Sequence, residues 1–179
     1  MCEPRYPDIG LLQEVGDVVR RGLTVHRGVQ RQDDLADGGA SVWAHTIKYI
    51  KKENHGTTIE ALIPDFDGLH ANILKVIKAA PEVISHNIET VRRLTPVIRT
   101  KAKYDMSLDV LRFIASEGAV AKSGFMLGLG ETEDEVVETI TDIYATGCKI
   151  LTIGQYLQPT MDHIQVAEYI TPQKFEEYR

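Results

Sequence analysis

Cysteine is nearly absent: Cys2 and Cys148 stand at opposite ends of a 179-residue chain, a spacing that provides neither a disulfide framework nor a metal-ligand run. Positive charge is scarce as well. Twenty Lys and Arg against 26 Asp and Glu leave a formal net charge of −6, and no basic run is interleaved with aromatics, which argues against nucleic acid as a partner. No apolar run approaches the ~20 residues of a spanning helix, so no membrane partner is expected. The N-terminus, MCEPRYPDIGLLQEVGDVVRR, opens on an acid and two prolines instead of a basic region followed by an apolar block, so no targeting signal is read there. The six histidines contain no H-x-x-x-H pair, and no metal site is expected from them. These absences leave a soluble, cytoplasmic chain of one domain, for which 43% hydrophobic content is core enough.

What is present is an alternation of short apolar runs with stretches of helical period. TTIEALI (57–63) reads as a strand buried on both faces, with Glu60 as its one charge. GLHANILKVIKAA follows, with Leu69, Ile73, Val76, Ile77 and Ala80 on one helix face and Pro81 beyond its end. VISHNI (83–88), AKSGFMLG (121–128) and CKILTIGQYL (148–157) are further strands. Between them SLDVLRFIASEG predicts a helix capped by Ser107 or Asp105 and stopped by Gly118. The helix after 131 carries a T-x-x-E capping box at Thr132 and Glu135, with Val136, Val137, Ile140, Ile143 and Tyr144 as its buried stripe and Gly147 as its stop. Strand starts recur at the length of a strand plus a crossover helix, which makes the sheet parallel and the fold α/β. Upstream, VWAHTIKYIKK (42–52) predicts a helix with Val42, Thr46, Ile47 and Ile50 on one side. GLTVHRGVQ (22–30) is a candidate strand and LLQEVGDVVRR a candidate short helix.

Parallel units carry function at the carboxyl ends of their strands, here IPDFDG, SHNIET, GLGETE and GQYLQPT. Gly128 and Gly130 let the chain turn sharply, leaving backbone amides at the helix start to meet an anion or a base edge, or merely turning the chain. The spacing of Gly128, Gly130 and Glu131 matches no nucleotide fingerprint. Asn87 and Glu89 fall on one side of an extended chain and can grip a ribose diol or an amine; alternatively Glu89 caps the next helix and Asn87 closes a turn. Lys122 is a candidate Schiff-base lysine of an aldolase-type barrel, or else an ion-pair partner of Glu60.

TTIEALIPDFDG, HNIETV, KSGFMLGLGET and ILTIGQYLQPT followed by YITPQKFEEY resemble lipoyl synthase, a radical S-adenosylmethionine enzyme, from about Asp33 to Arg179, with DDLADGGA extending the likeness upstream. The resemblance implies a partial parallel (β/α) barrel over 33–179, of the TIM-barrel-like radical S-adenosylmethionine type, preceded by a divergent segment, 1–32. It implies S-adenosylmethionine and two [4Fe-4S] clusters as cofactors, sulfur insertion at C6 and C8 of a protein-bound octanoyl chain, and an octanoylated lipoyl-domain protein or glycine cleavage H protein as partner. On this likeness Asn87, Glu89, Lys122, Gly128, Gly130, Glu131, Gln155 and Tyr156 form the cofactor pocket.

The chain departs from that family's pattern at the metal. A cubane cluster needs three or four closely placed thiolates, and neither the C-x-x-x-C-x-x-C run nor the second cysteine trio is present. The family's R-S-S-Y segment has no counterpart either. RGVQRQDDL stands where T-S-V-D-R-D-D-L is usual, and Met161 and Asp162 replace a basic pair before His163. The chain as written is therefore expected to lack catalysis, with noncatalytic binding of S-adenosylmethionine or a carrier domain as the alternative. Loss of the first barrel strand is also expected to expose a sheet edge at 57–63 or earlier, inviting self-association.

Overall fold

Each apolar run of the sequence becomes a strand, and each amphipathic stretch returns the chain across one face of the sheet. The structure, a computed structural model, describes residues 23–25, 35–99 and 103–179. In chain order the elements are β1 (Leu23–Val25), α1 (Ala40–Glu53), β2 (Ile59–Leu62), a 3-10 turn (Phe66–Gly68), α2 (His70–Ile77), β3 (Val83–Ser85), α3 (Thr95–Ile98), α4 (Tyr104–Ser116), β4 (Ala121–Leu127), α5 (Glu133–Ala145), β5 (Ile150–Gln155) and α6 (Pro172–Glu177). The five strands form one parallel sheet in the order β1-β2-β3-β4-β5, so every neighbour in space is a neighbour in sequence.

The core lies between the helices and one face of this sheet. Ile59, Ala61, Ile84, Ala121, Phe125 and Leu127 project from the strands, and Ile47, Ile73, Val76, Leu111, Ile114 and Ile143 meet them from α1, α2, α4 and α5, all buried. Each such aliphatic side chain contributes about 1.5–3 kcal/mol by leaving water. Local signals stop the helices where expected: Gly118 and Gly147 take left-handed φ values of 79° and 87° just beyond α4 and α5. The Thr132–Glu135 capping box forms at the head of α5, the Thr132 hydroxyl accepting from Glu135 N and the Glu135 carboxylate from Thr132 N.

Several expectations are corrected. Asp105 and Ser107 lie inside α4, whose N-cap is Lys103 without a side-chain cap, because the helix begins three residues before Ser107. Val137 and Tyr144 are exposed on α5, Leu69 on the approach to α2 and Val42 on α1; the buried stripe of α1 is Ala40, Trp43, Ala44 and Ile47. β2 is buried on one face only, since Ile59 and Ala61 meet helices while Glu60 and Leu62 stay half-buried on the other. Nor is β2 an edge. β1 pairs along it, Leu23 opposite Ile59, Thr24 opposite Glu60 and Val25 opposite Ala61, so among the described residues the terminal strands are β1 and β5 and the edge lies earlier than 57–63. The candidate helix LLQEVGDVVRR, Cys2 and most of RGVQRQDDL lie outside the described residues.

Candidate functional site

Strand side chains alternate, so the face opposite the helices is fixed once the core face is known. Its residues are Glu60 and Leu62 of β2, Ser85 of β3 with Asn87 just beyond, Lys122, Gly124 and Met126 of β4, and Thr152 and Gly154 of β5. The parallel register brings them level: Leu62 lies opposite Ser85, Ser85 opposite Lys122, Gly124 opposite Thr152 and Met126 opposite Gly154. Together with Glu89 they line a concavity of about 420 Å³, a usual size for a small-molecule site.

Its floor is polar and fully paired. Lys122 Nζ donates to both carboxylate oxygens of Glu60, at 2.8 and 2.9 Å, and the Ser85 hydroxyl donates to the same carboxylate at 2.6 Å. The ion pair that the sequence offers as one reading of Lys122 is thus present.

The wall comes from the turn after β3. Ile88 N and Glu89 N both donate to the Gly124 carbonyl, and Glu89 O accepts from Met126 N, which draws the turn against β4. Glu89 meets this geometry only at φ 71°, a conformation that costs an L-residue about 1–3 kcal/mol and persists only where the surroundings impose it. Arg99 helps to impose it, donating to the Asn87 and Ile88 carbonyls and to the Ser107 hydroxyl. Beneath lies His86, 2% exposed: Nδ1 donates to the Ile63 carbonyl at 3.0 Å, which leaves Nε2 to accept from the Ser107 hydroxyl at 2.9 Å. Burial pulls its pKa from 6.5 down to about 4, so the ring is neutral at pH 7. Glu89 therefore caps no helix; α3 begins after Leu94.

The other sequence-predicted residues gather elsewhere. Glu131 turns its carboxylate back onto Gly128 N and Leu129 N, at 2.6 and 2.9 Å, so these two amides of the GLGE turn are satisfied by the chain itself. Gln155 Nε2 donates to the carbonyls of Leu127, Tyr156 and Glu168, while its Oε1 accepts from Ile170 N at 2.8 Å. The Tyr156 hydroxyl donates to the Ile164 carbonyl, and Ala167 N donates to the Gly128 carbonyl, both at 2.8 Å. These bonds seat residues 157–171 as a strap across the turn. Gly128, at φ 98°, is the position where strap and turn are closest: a Cβ there would collide with the Glu168 carbonyl and the Gln155 amide. Gly130 shares that φ but leaves ordinary room beside Ala167. The structure thus brings Asn87, Glu89 and Lys122 together in the concavity and Gly128, Glu131, Gln155 and Tyr156 together under the strap.

Two residues that the sequence reading passed over matter in the concavity. A Cβ on Gly124 would press on the Asn87 side-chain oxygen at 3.1 Å and the Thr152 carbonyl at 3.3 Å. Gly154 is different, since a Cβ there meets nothing within 4 Å and its φ is not left-handed. Neither packing nor backbone conformation requires that glycine, and it leaves the sheet face open there. The signal for both was periodicity of 2 read through the glycines.

S-adenosylmethionine fits this arrangement in size and in donor set: an amide, a carboxylate and an open glycine face that the chain leaves unfilled. An iron–sulfur cluster does not fit. Cys148 directs Sγ to the carbonyls of Ala121 and Ile150, and burial pushes its thiol pKa up, opposite to what a thiolate ligand needs. Among the described residues no group of three His, Cys, Asp or Glu is placed to hold a metal ion.

The fold sets the class: a parallel β/α sheet of the partial (β/α)-barrel kind. Methylornithine synthase superposes with a TM-score of 0.62 at 15% identity, over 82% of this chain and 44% of that one. A radical S-adenosylmethionine methyltransferase from Kitasatospora setae, solved with cobalamin and a [4Fe-4S] cluster bound, gives 0.54 at 9% identity, over 82% and 29%. No family model matches. In sequence the chain is a homologue of lipoyl synthase. It is 58% identical over 148 residues to the lipoyl synthase of Parabacteroides distasonis, covering 83% of this chain and 53% of that protein. The lipoyl synthases of Bacteroides thetaiotaomicron and Treponema denticola are 57% and 52% identical, each over 83% of this chain and 52% and 51% of theirs. The chain therefore spans about half the length of the curated relatives it matches.

Proposed function

We propose that this chain is the S-adenosylmethionine-binding part of a lipoyl synthase, serving sulfur insertion at C6 and C8 of an octanoyl chain on a lipoyl-domain or glycine cleavage H protein in the cytoplasm. The observation that carries the reading is the unfilled glycine face at Gly154, beside Asn87 and Glu89 and above the Glu60–Lys122 pair. Asn87 and Glu89 hold the ribose or the amino group of the cofactor, Gly124 and Gly154 admit its close approach, and the ion pair closes the concavity beneath it. Gly128, Gly130, Glu131, Gln155 and Tyr156 serve the binding unit indirectly, by seating the strap on the turn after β4. Reductive cleavage of S-adenosylmethionine supplies a reactant able to remove hydrogen from an unactivated carbon, which protein acids and bases cannot do. The described residues do not fit the clusters that would drive that cleavage or donate sulfur, so this chain alone binds without turnover.

Calorimetric titration of S-adenosylmethionine into the chain tests the reading. Saturable binding is expected, weakened at least tenfold by Gly154→Val with the melting temperature unchanged, because the added side chain meets no protein atom within 4 Å at its Cβ. Absence of binding, or equal affinity in the variant, overturns it.

A further inference from the structure

A second concavity, of about 350 Å³, lies at the carboxyl end of β2, between the segment that leads into α1 and the IPDFDG loop that leads into α2. Leu35, Phe66 and Leu69 give it apolar walls, and Asp65 and Asp67 stand at its margin. Asp65 accepts from Asp67 N at 3.1 Å through one oxygen, leaving the other available. No lysine or arginine lines it. Arg99, which acts on Asp65 through space, is bonded to the Asn87 and Ile88 carbonyls.

The feature that makes this more than an acidic loop is Asn72. It is 7% exposed and lines the concavity, yet its side-chain amide has no hydrogen-bond partner among the described residues. The amide is not sealed from solvent: its accessible atoms open where the residue lines the concavity, and no described group answers them. The loop beside it also holds three successive residues at positive φ: Phe66 at 49°, Asp67 at 55° and Gly68 at 70°. That path turns the Phe66 ring inward, 3.2 Å from the Cβ position of Gly38, and leaves Asp67 on the outside.

We propose that this concavity binds a primary ammonium group carried on a methylene stem, an alkylamine or a lysine side chain. An ammonium offers three N–H donors and no acceptor. The carboxylates of Asp65 and Asp67 and the Asn72 carbonyl supply three acceptors, and Leu35, Phe66 and Leu69 cover the stem. The site is separate from the Asn87–Gly154 concavity and independent of S-adenosylmethionine binding there.

The test is titration of the chain with n-butylamine, 1,4-diaminobutane and Nα-acetyl-lysine methylamide, followed by the side-chain amide resonances of Asn72. The expected result is a saturating shift with the amines and none with n-pentanol, whose stem is similar and whose head is uncharged. Asn72→Leu should weaken binding at least tenfold. Asp65→Asn, which keeps the acceptor for Asp67 N, should also weaken it, so the proposal stays testable if the Asn72 variant fails to fold. Gly154→Val should leave amine binding intact, which separates this site from the cofactor reading. Tighter binding of the lysine amide assigns the site to a partner's side chain, and tighter binding of the diamine to a free amine. An unmoved Asn72 resonance, or an equal response to n-pentanol, overturns the proposal.

Discussion

Lowering the pH should destabilise the chain through His86 before the carboxylates are protonated. The unfolded chain takes up a proton at this residue near pH 6.5, the folded chain only near 4, because the ring is fully buried between the Ile63 carbonyl and Ser107. Between those values the unfolded state binds more protons, so stability is complete above about pH 7 and falls as pH drops toward 4. At 1.36 kcal/mol per pH unit, about 2 kcal/mol is lost by pH 5 and about 3 by pH 4. Urea unfolding at pH 7, 6 and 5, with the His86 ring followed by NMR, measures both quantities. His86→Gln should start less stable and show a flatter slope across pH 7 to 5. A ring that titrates near 6.5 in the folded protein, or a loss below about 0.5 kcal/mol by pH 5, would refute the reasoning.

Lys122→Met should cost about 1–3 kcal/mol, because Glu60 is then left half-buried with only the Ser85 hydroxyl. Adding Glu60→Gln should recover part of that loss, and a thermodynamic cycle from thermal melts is the check. Gly128→Ala should cost at least about 1–3 kcal/mol, from the strained φ and the collision with Glu168. It should also speed proteolysis within 157–171, and an unchanged cleavage rate would mean that the strap is not held at this point. Thr132→Ala should lower stability by about 1 kcal/mol in the same melts, through loss of the cap on Glu135 N.

The parallel order of β2 to β5 was legible because strand-length apolar runs separated by helix-length connections admit few other arrangements. The Thr132 cap was legible because both of its bonds are local in sequence. Periodicity says which residues share a face but not how far around the helix the neighbours reach, so Val137 and Tyr144 were placed on a stripe that only Val136 and Ile143 fully bury. The GLGE turn left two readings open for a related reason. Its Gly128 and Leu129 amides look free in sequence, and only the three-dimensional path shows the Glu131 carboxylate folded back onto them. Gln155 and Tyr156 bond to Ile164, Glu168 and Ile170, partners 8 to 15 residues away that no local pattern marks. Gly154 was passed over because period 2 shows which face it shares but not the space above it.

A sheet whose strands line up in chain order has a consequence for how the molecule is assembled during synthesis. Each new strand finds its template in the one made just before it, so no segment waits for a distant partner and contacts accumulate one unit at a time. The growing edge is always the newest strand, and it is β5 in the described chain. Residues 157–171 then fold back on the turn after β4, tying the last unit to its predecessor through Gln155 and Gly128. The strap thus acts as a latch on the final step of growth, holding β5, the last strand among the described residues, in register.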